Sequence, residues 1–193
     1  MALCKEVPEM KNHIRTKIKS QRNSISKEEV LSKSTLASEL FLSSEEYASA
    51  SVLMLYMPLG NEMDTSIVIS KALNDEKKVV LPVTDVENVD IIPYYITDVT
   101  NFKDGAYAIR EPQNGILAKP DEIDTVIVPG IAFDYHGGRI GFGKGYYDRF
   151  LSKFKGTKVG FCYDFQLTDN AYSEPHDVMM DYVVTNDGIY KCK

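Results

Sequence analysis

The sequence predicts an α/β fold: a mostly parallel central sheet of about six strands, helices on both faces, and helices preceding the first strand. Three observations carry this expectation. The first fifty residues show helical spacing and helix-start signals but no strand-like run. Apolar runs at 51–56 (SVLMLY) and 78–83 (KVVLPV) flank a segment of one helix length, the signature of a βαβ unit with parallel pairing and a right-handed crossover. Further apolar runs at 126–128 and 158–163 flank another helical segment, extending the alternation.

Residues 8–24 form the first predicted helix, with Met10, Ile14, Ile18 and Gln21 as a weakly apolar face. Lys11, Arg15, Lys19 and Arg22 make a second, basic stripe. Such a stripe is either a solvated face or, at Lys11 and Arg15, two cations one turn apart that can reach a single phosphate. Ser26 and Glu29 make a capping box that starts a helix running to about Leu42, with Val30, Leu31, Leu36, Leu40 and Phe41 as its buried side. Residues 43–46 start one more helical turn.

The strand at 51–56 is apolar throughout, hence interior. Asp64 or Thr65 caps a helix that ends at Asn74. The strand at 78–83 ends in a proline-bearing segment, and 90–96 is a third, more alternating strand. Residues 97–122 are the least regular part, with Gly105, Pro112, Gly115 and Pro120. The fourth strand is 126–128, a helix spans 145–154, and strands follow at 158–163 and 181–185. Ligands of open α/β sheets bind beyond the carboxyl ends of strands. Three loops fall there, 57–63, 129–145 and 163–178.

The 193 residues make one domain, 1–193, with 44% hydrophobic and 26% charged residues, ordinary for a globular chain. A net charge of -6 argues against a nucleic-acid partner. No apolar run approaches a membrane span and the N-terminus has no signal-peptide core, so a cytoplasmic monomer without membrane attachment is expected. Cys4, Cys162 and Cys192 are odd in number and far apart, which supports plain thiols rather than a disulfide or zinc framework.

The densest chemical signal is Gly137-Gly138-Arg139-Ile140-Gly141-Phe142-Gly143-Lys144-Gly145, between a strand and a helix. Strand, glycine loop and helix N-terminus let backbone N–H groups converge on phosphate. The run from Gly138 to Gly145 nearly matches a P-loop, but Gly145 replaces the Ser or Thr that would ligate Mg²⁺. The loop also follows the fourth strand rather than the first. Alternating glycines expose bare backbone to an anion, Arg139 and Lys144 add positive charge, and Asp148 lies where a carboxylate can hold Mg²⁺ against phosphate oxygens. The other reading is a glycine-rich surface loop without a ligand.

Pro129-Gly130-Ile131-Ala132-Phe133-Asp134 followed by 138–148 (GRIGFGKGYYD) resembles the signature of the 5-formyltetrahydrofolate cyclo-ligase family. The resemblance extends over nearly the whole chain, through Lys11-x-x-x-Arg15, the segment from Tyr56 to Thr65, Ile109-Arg110-Glu111-Pro112, Gln166 and His176-Asp177. It implies ATP-dependent conversion of 5-formyltetrahydrofolate to 5,10-methenyltetrahydrofolate with Mg²⁺, through a phosphorylated formyl group. By the same resemblance Lys11 and Arg15 hold ATP phosphates. Arg139, Ile140, Gly141, Phe142, Gly143, Lys144, Gly145, Tyr146 and Tyr147 wrap the nucleotide, with Lys144 and Arg139 catalytic. Asp148 and Asp177 ligate Mg²⁺. Met57, Glu62, Tyr107 and Tyr147 line the folate site. Tyr107 departs from members that carry Trp, and this chain has no Trp. Two other classes compete: a sugar-phosphate isomerase or acyl-transfer enzyme with no ATP requirement, and a non-catalytic nucleotide- or folate-binding module.

Overall fold

A computed structural model describes residues 3–98, 100, 102–113 and 115–193, with side chains from residue 7 onward within the first helix. The N-terminal Cys4 thiol therefore lies outside the described side chains. Helices α1 (Leu3–Ser24), α2 (Lys27–Leu42) and α3 (Glu45–Ser49) precede β1 (Val52–Met54), then α4 (Ser66–Asn74), β2 (Lys78–Asp85) and β3 (Asp90–Ile96). The irregular stretch holds β4 (Phe102–Asp104), β5 (Arg110–Pro112) and β6 (Ile116–Leu117). After it come β7 (Thr125–Val128), β8 (Ala132–Asp134), β9 (Arg139–Ile140), α5 (Tyr146–Lys153), β10 (Thr157–Phe161), β11 (Leu167–Thr168), β12 (Tyr182–Val184) and β13 (Ile189–Lys191).

Among the described residues the main sheet has eight strands in the order β13-β12-β10-β7-β1-β2-β3-β6. The five from β12 to β2 run parallel, and β13, β3 and β6 add antiparallel edges. The α/β expectation holds, and the two extra strands come from short edge segments, β6 and β13, too brief to show a period. A separate three-stranded sheet, β11-β8-β9, stands beyond the carboxyl end of β7.

The pleat sorts the strands onto two faces. Leu53, Leu55, Val79, Leu81, Ile127 and Val159 point to one side, where Ala37 and Phe41 of α2 and Val68, Ile69 and Ala72 of α4 cover them. Val52, Met54, Val80, Val126 and Val128 point to the other, where Phe150 and Leu151 of α5 close the layer. An eight-residue helix is marginal alone, so α5 depends on these two anchors, each contributing about 1.5–3 kcal/mol by burial.

Four local expectations need correction. On α1 the inward face is Lys11, Ile14, Arg15, Ile18 and Arg22, while Met10 and Gln21 face solvent. The basic stripe is therefore turned toward the protein at three of its four cations, because polar partners on the loops await them. On α2 Leu31 and Leu36 are exposed and the buried side is Ser34, Ala37, Ser38 and Phe41. Small residues there let the helix lie close to the sheet. Strand β2 runs through Pro82 to Asp85, because Pro82 lies beyond the stretch paired with β1 and faces Pro93 of the antiparallel β3. The Thr65 hydroxyl, at the N-cap of α4, donates to the Tyr56 carbonyl (2.6 Å), and the Asp64 carboxylate instead accepts from the Ser66 N–H (2.8 Å). The α2 capping box at Ser26 and Glu29 forms as expected.

Candidate active site

All three predicted loops leave the carboxyl ends of parallel strands: 57–63 from β1, 129–145 from β7 and 163–178 from β10. Asp134 joins the last two. Its Oδ1 accepts from the N–H groups of His136 (2.9 Å) and Gly138 (2.8 Å), and its Oδ2 from that of Ala171 (2.8 Å). A Cβ at Gly138 would lie 2.5 Å from Asp134 Oδ2, so only glycine permits this turn. Gly143 (φ +89°) and Gly145 (φ +76°) take left-handed backbone, which carries the chain from β9 round into α5.

The loops enclose a cleft of about 320 Å³. Tyr56, Met57, Leu59 and Glu62 supply one side, Arg139 and the run from Gly141 to Asp148 another, and Pro82, Thr84, Ile91, Tyr107 and Ile109 a third. The Tyr107 and Tyr146 hydroxyls meet at 3.1 Å, their rings edge to face. Tyr107 and Ala108 both have φ +59°, a strained backbone beside the cleft.

Arg139 is the most constrained cation here. Its side chain is 4% exposed and Nη2 donates to Asp148 Oδ1 at 2.5 Å. Nη1 donates to the Pro129 carbonyl at 3.3 Å. Its guanidinium lies 5.8 Å from the centre of the Tyr147 ring. Arg139 Nε and the Tyr147 hydroxyl are buried and have no hydrogen-bond partner. Buried polar atoms are normally paired, so two unpaired donors in one wall fit an oxygen-bearing ligand. Burial holds the Tyr147 phenol well above its ordinary pKa, against the pull of Arg139, so it stays a donor at neutral pH. Lys144 is exposed and has no ion-pair partner among the described residues.

In the same lining Glu62 is 8% exposed. Oε2 accepts from the Leu59 N–H at 2.9 Å, and Oε1 stands 3.5 Å from Arg22 Nη1. Burial pushes the Glu62 carboxyl above its ordinary pKa, opposed by the Leu59 N–H and by Arg22. The Tyr163 hydroxyl donates to the Glu62 carbonyl at 3.1 Å and fixes the loop from below. One cleft thus offers unpaired donors, cations and a buried carboxylate.

The structure gathers Met57, Glu62, Tyr107, Arg139, Gly141, Phe142, Gly143, Lys144, Gly145, Tyr146, Tyr147 and Asp148 in that lining. Lys11, Arg15, Ile140 and Asp177 stand outside it. Ile140 is 1% exposed and packs with Ile18 of α1, Ile131 and Ala132. Arg15 Nε donates to the Gly141 carbonyl at 3.1 Å, behind the glycine run. Lys11 Nζ donates to Asp177 Oδ2 at 2.8 Å and Glu174 Oε2 at 3.1 Å. Among the described residues the group of acidic and histidine side chains close enough to share a cation is Glu174, His176 and Asp177, and Asp148 is not part of it. Sequence reasoning gave no role to Arg22 or Asp134. The signal for Arg22 was its spacing from Lys11 and Arg15 on one helical face. For Asp134 the signal was its place at the end of the 129–134 signature stretch, which assigned it no role.

A model of the 5-formyltetrahydrofolate cyclo-ligase family matches residues 7–186. A probable 5-formyltetrahydrofolate cyclo-ligase of Caenorhabditis elegans is 27% identical over 192 residues, 92% of this chain and 93% of that protein. The solved structure of Aquifex aeolicus 5,10-methenyltetrahydrofolate synthetase superposes with a TM-score of 0.85 at 34% identity, over 95% of this chain and 93% of that one. That of a 5,10-methenyltetrahydrofolate synthetase from Mycoplasma pneumoniae superposes with a TM-score of 0.73 at 25% identity, over 91% and 98%.

Proposed function

The chain belongs to the 5-formyltetrahydrofolate cyclo-ligase family and is a ligase of folate one-carbon metabolism; we propose that it closes 5-formyltetrahydrofolate to 5,10-methenyltetrahydrofolate with ATP and Mg²⁺, releasing ADP and phosphate. The observation that carries this reading is the polarity of the cleft. Unpaired donors on Arg139 and Tyr147, the unpaired Lys144 and the buried carboxylate of Glu62 line this one cleft.

In the proposed reaction the formyl oxygen attacks the γ-phosphorus and the bond to the ADP oxygen breaks. The formyl carbon then carries phosphate and a double bond to N5. N10 attacks that carbon, loses its proton, and the C–O bond breaks to release phosphate. The protein's part is positioning and charge neutralisation. Arg139 and Lys144 neutralise the transferring phosphoryl group. The backbone of residues 140–147 follows the nucleotide, and Arg15 braces that backbone at the Gly141 carbonyl. Lys11 would exchange its carboxylate partners for a phosphate. Glu62 accepts from the donor edge of the pterin, and Met57, Tyr107 and Tyr147 give it apolar walls.

Asp148, in the cleft, and Asp177, beside Glu174 and His176 outside it, are oxygen donors of the kind Mg²⁺ takes, although the two do not stand together. Asp148 keeps Oδ2 outside its pair with Arg139, and Asp177 keeps Oδ1 outside its pair with Lys11. If either or both of these carboxylates hold Mg²⁺, the ion would supply charge neutralisation for the ATP phosphates. A cytoplasmic monomer is part of the reading. Cys162 and Cys192 are free thiols, and no described helix is long and apolar enough to cross a membrane.

The test is the absorbance of the methenyl product formed from 5-formyltetrahydrofolate with Mg-ATP. Product is expected with both and not without ATP. Folded protein that forms none, or forms it without ATP, would overturn the reading.

A further inference from the structure

Arg22 lies outside the residues assigned so far and outside the cleft lining, yet it is the cation that stands against Glu62. It sits in the last turn of α1 with its side chain 11% exposed, and Nη1 is 3.5 Å from Glu62 Oε1. Its guanidinium lies 5.6 Å from the centre of the Phe142 ring, on the glycine run. Its backbone carbonyl accepts from Asn61 Nδ2 at 3.1 Å, one residue before Glu62. The helix end, the folate-side loop and the glycine run therefore meet on this one residue.

We propose that Arg22 is a positioning residue for the folate end: it keeps Glu62 ionised and aimed into the cleft, so that Glu62 can accept from a donor edge of the bound folate. The inference rests on the function proposed above and adds the group that prepares its carboxylate.

The Leu59 N–H on Oε2 works against the burial of Glu62 first, and among charged groups Arg22 adds to that effect. A carboxyl this buried, left alone, is driven toward its neutral form. A neutral carboxyl has an O–H donor and cannot accept two N–H groups side by side. The other titratable groups nearby do not supply a positive charge. The Tyr56 hydroxyl donates to the Met63 carbonyl at 2.7 Å and the Tyr163 hydroxyl to the Glu62 carbonyl. Tyr147 is a neutral, unpaired phenol. Asp64 adds a negative charge and accepts from the Ser66 N–H. Arg139 shares the cleft, but its charge is paired with Asp148.

The geometry also suits positioning better than simple bracing. At 3.5 Å the pair is a Coulombic contact rather than a short hydrogen bond. Oε1 is thus left able to accept from a ligand. The Phe142 ring holds the Arg22 guanidinium, and Asn61 Nδ2 fixes its backbone carbonyl.

The experiment measures KM for 5-formyltetrahydrofolate and for ATP from about pH 6 to about pH 9, in the wild type, Arg22→Gln, Arg22→Lys, Glu62→Gln and the double variant. Calorimetry of 5-formyltetrahydrofolate binding without nucleotide accompanies it. In Arg22→Gln the folate KM is expected to rise about tenfold at the acid end and recover as pH rises. This corresponds to a midpoint moved up by about one unit. ATP KM should stay within about twofold, and calorimetry should give the same shift in folate affinity. Arg22→Lys should restore the midpoint. The double variant should match Glu62→Gln rather than add to it, since the two residues act as a unit.

A wild-type midpoint in Arg22→Gln, or folate and ATP KM rising together at every pH, would make Arg22 a brace only and overturn the proposal. If Arg22→Gln does not fold, identical folate pH profiles in the wild type and Glu62→Gln would overturn it without that variant. These failures occur with an active wild type, whereas failure of the functional reading shows as no methenyl product from the wild type itself.

Discussion

Lys11 and Asp177 are 166 residues apart in the chain and 2.8 Å apart in the fold, with Glu174 3.1 Å from the same ammonium. The pair ties the first helix to the last long loop, and it joins the side chain proposed for phosphate to one proposed for Mg²⁺. Nucleotide binding would have to share or exchange this contact. The pair is a structural clasp, and on the proposed roles ligand chemistry would compete for it.

The clasp should have a pH signature. Burial works to raise the Asp177 pKa, but the bonds from Lys11 and the Glu174 N–H prevail and hold it below its ordinary value. Burial likewise works to lower the Lys11 pKa, and the Asp177 and Glu174 contacts prevail and raise it. A depressed carboxyl stabilises the fold above its unfolded pKa, near 4, and that contribution is lost as pH falls through the folded value. A raised ammonium stabilises it below about pH 10.4 and the contribution is lost above. Lys11→Met should lower the melting temperature at pH 7, by about 1–3 kcal/mol or several degrees. The deficit should shrink below about pH 4, where the wild type loses the pair too. An unchanged deficit at pH 3 would show that the loss comes from packing instead.

Glu62 should show the opposite sign. Its pKa is raised, so the folded state binds the proton more tightly than the unfolded chain. The ionised form then costs stability as pH rises from the unfolded pKa through the folded one. Glu62→Gln should make the protein more stable at pH 8 than the wild type, by about 1 kcal/mol in urea unfolding. Folate affinity should fall by at least about tenfold, the loss of one charge-assisted bond. Equal stability of the two proteins at pH 8 would mean that Arg22 and the Leu59 N–H already offset the burial of the charge.

Much of this was legible in the chain and some was not, for physical reasons. Continuous apolar runs announced β1, β2, β7 and β10, because a parallel strand is buried on both faces. The glycine run announced the loop that lines the cleft. The face of α1 was misread because Lys11, Arg15 and Arg22 are polar residues turned inward, and periodicity treats polar as outward. Their partners, Asp177, the Gly141 carbonyl and Glu62, come from three distant loops, and no local pattern encodes such a meeting. On α2 the buried side is small rather than apolar, so Leu31 and Leu36 drew attention to the wrong face.

Lys144 and Asp148 should separate chemistry from folding. Lys144 is exposed and without an ion-pair partner among the described residues, so Lys144→Ala should leave the melting temperature within about one degree. It should still lower kcat by about 10²–10³, the cost of losing one charge on a transferring group. Asp148→Asn removes the anion from Arg139, whose side chain is 4% exposed. That variant should lose turnover and also stability, by about 1–3 kcal/mol. Comparing melting curves with kcat in both variants tests the assignment. Full turnover in Lys144→Ala would remove Lys144 from the reaction.

Asp134 should behave as a site residue without touching a substrate. Its two oxygens accept from three backbone N–H groups, on His136, Gly138 and Ala171, and it is 4% exposed. Asp134→Ala leaves buried donors unpaired on two loops, at roughly 3–5 kcal/mol in total. Asp134→Asn keeps an acceptor for one loop while its amide cannot accept from the other, so about 1–2 kcal/mol should be lost. Arg139 begins one residue after Gly138, so loosening the turn displaces the guanidinium and the Asp148 pair behind it. At a temperature where Asp134→Asn is fully folded, kcat should therefore fall although no substrate contact is altered. The fall should persist at saturating ATP and folate, because a displaced Arg139 weakens stabilisation of the transferring group and not only binding. Urea unfolding and kcat measured on the same preparation decide this, and wild-type kcat in a destabilised Asp134→Asn would confine Asp134 to folding.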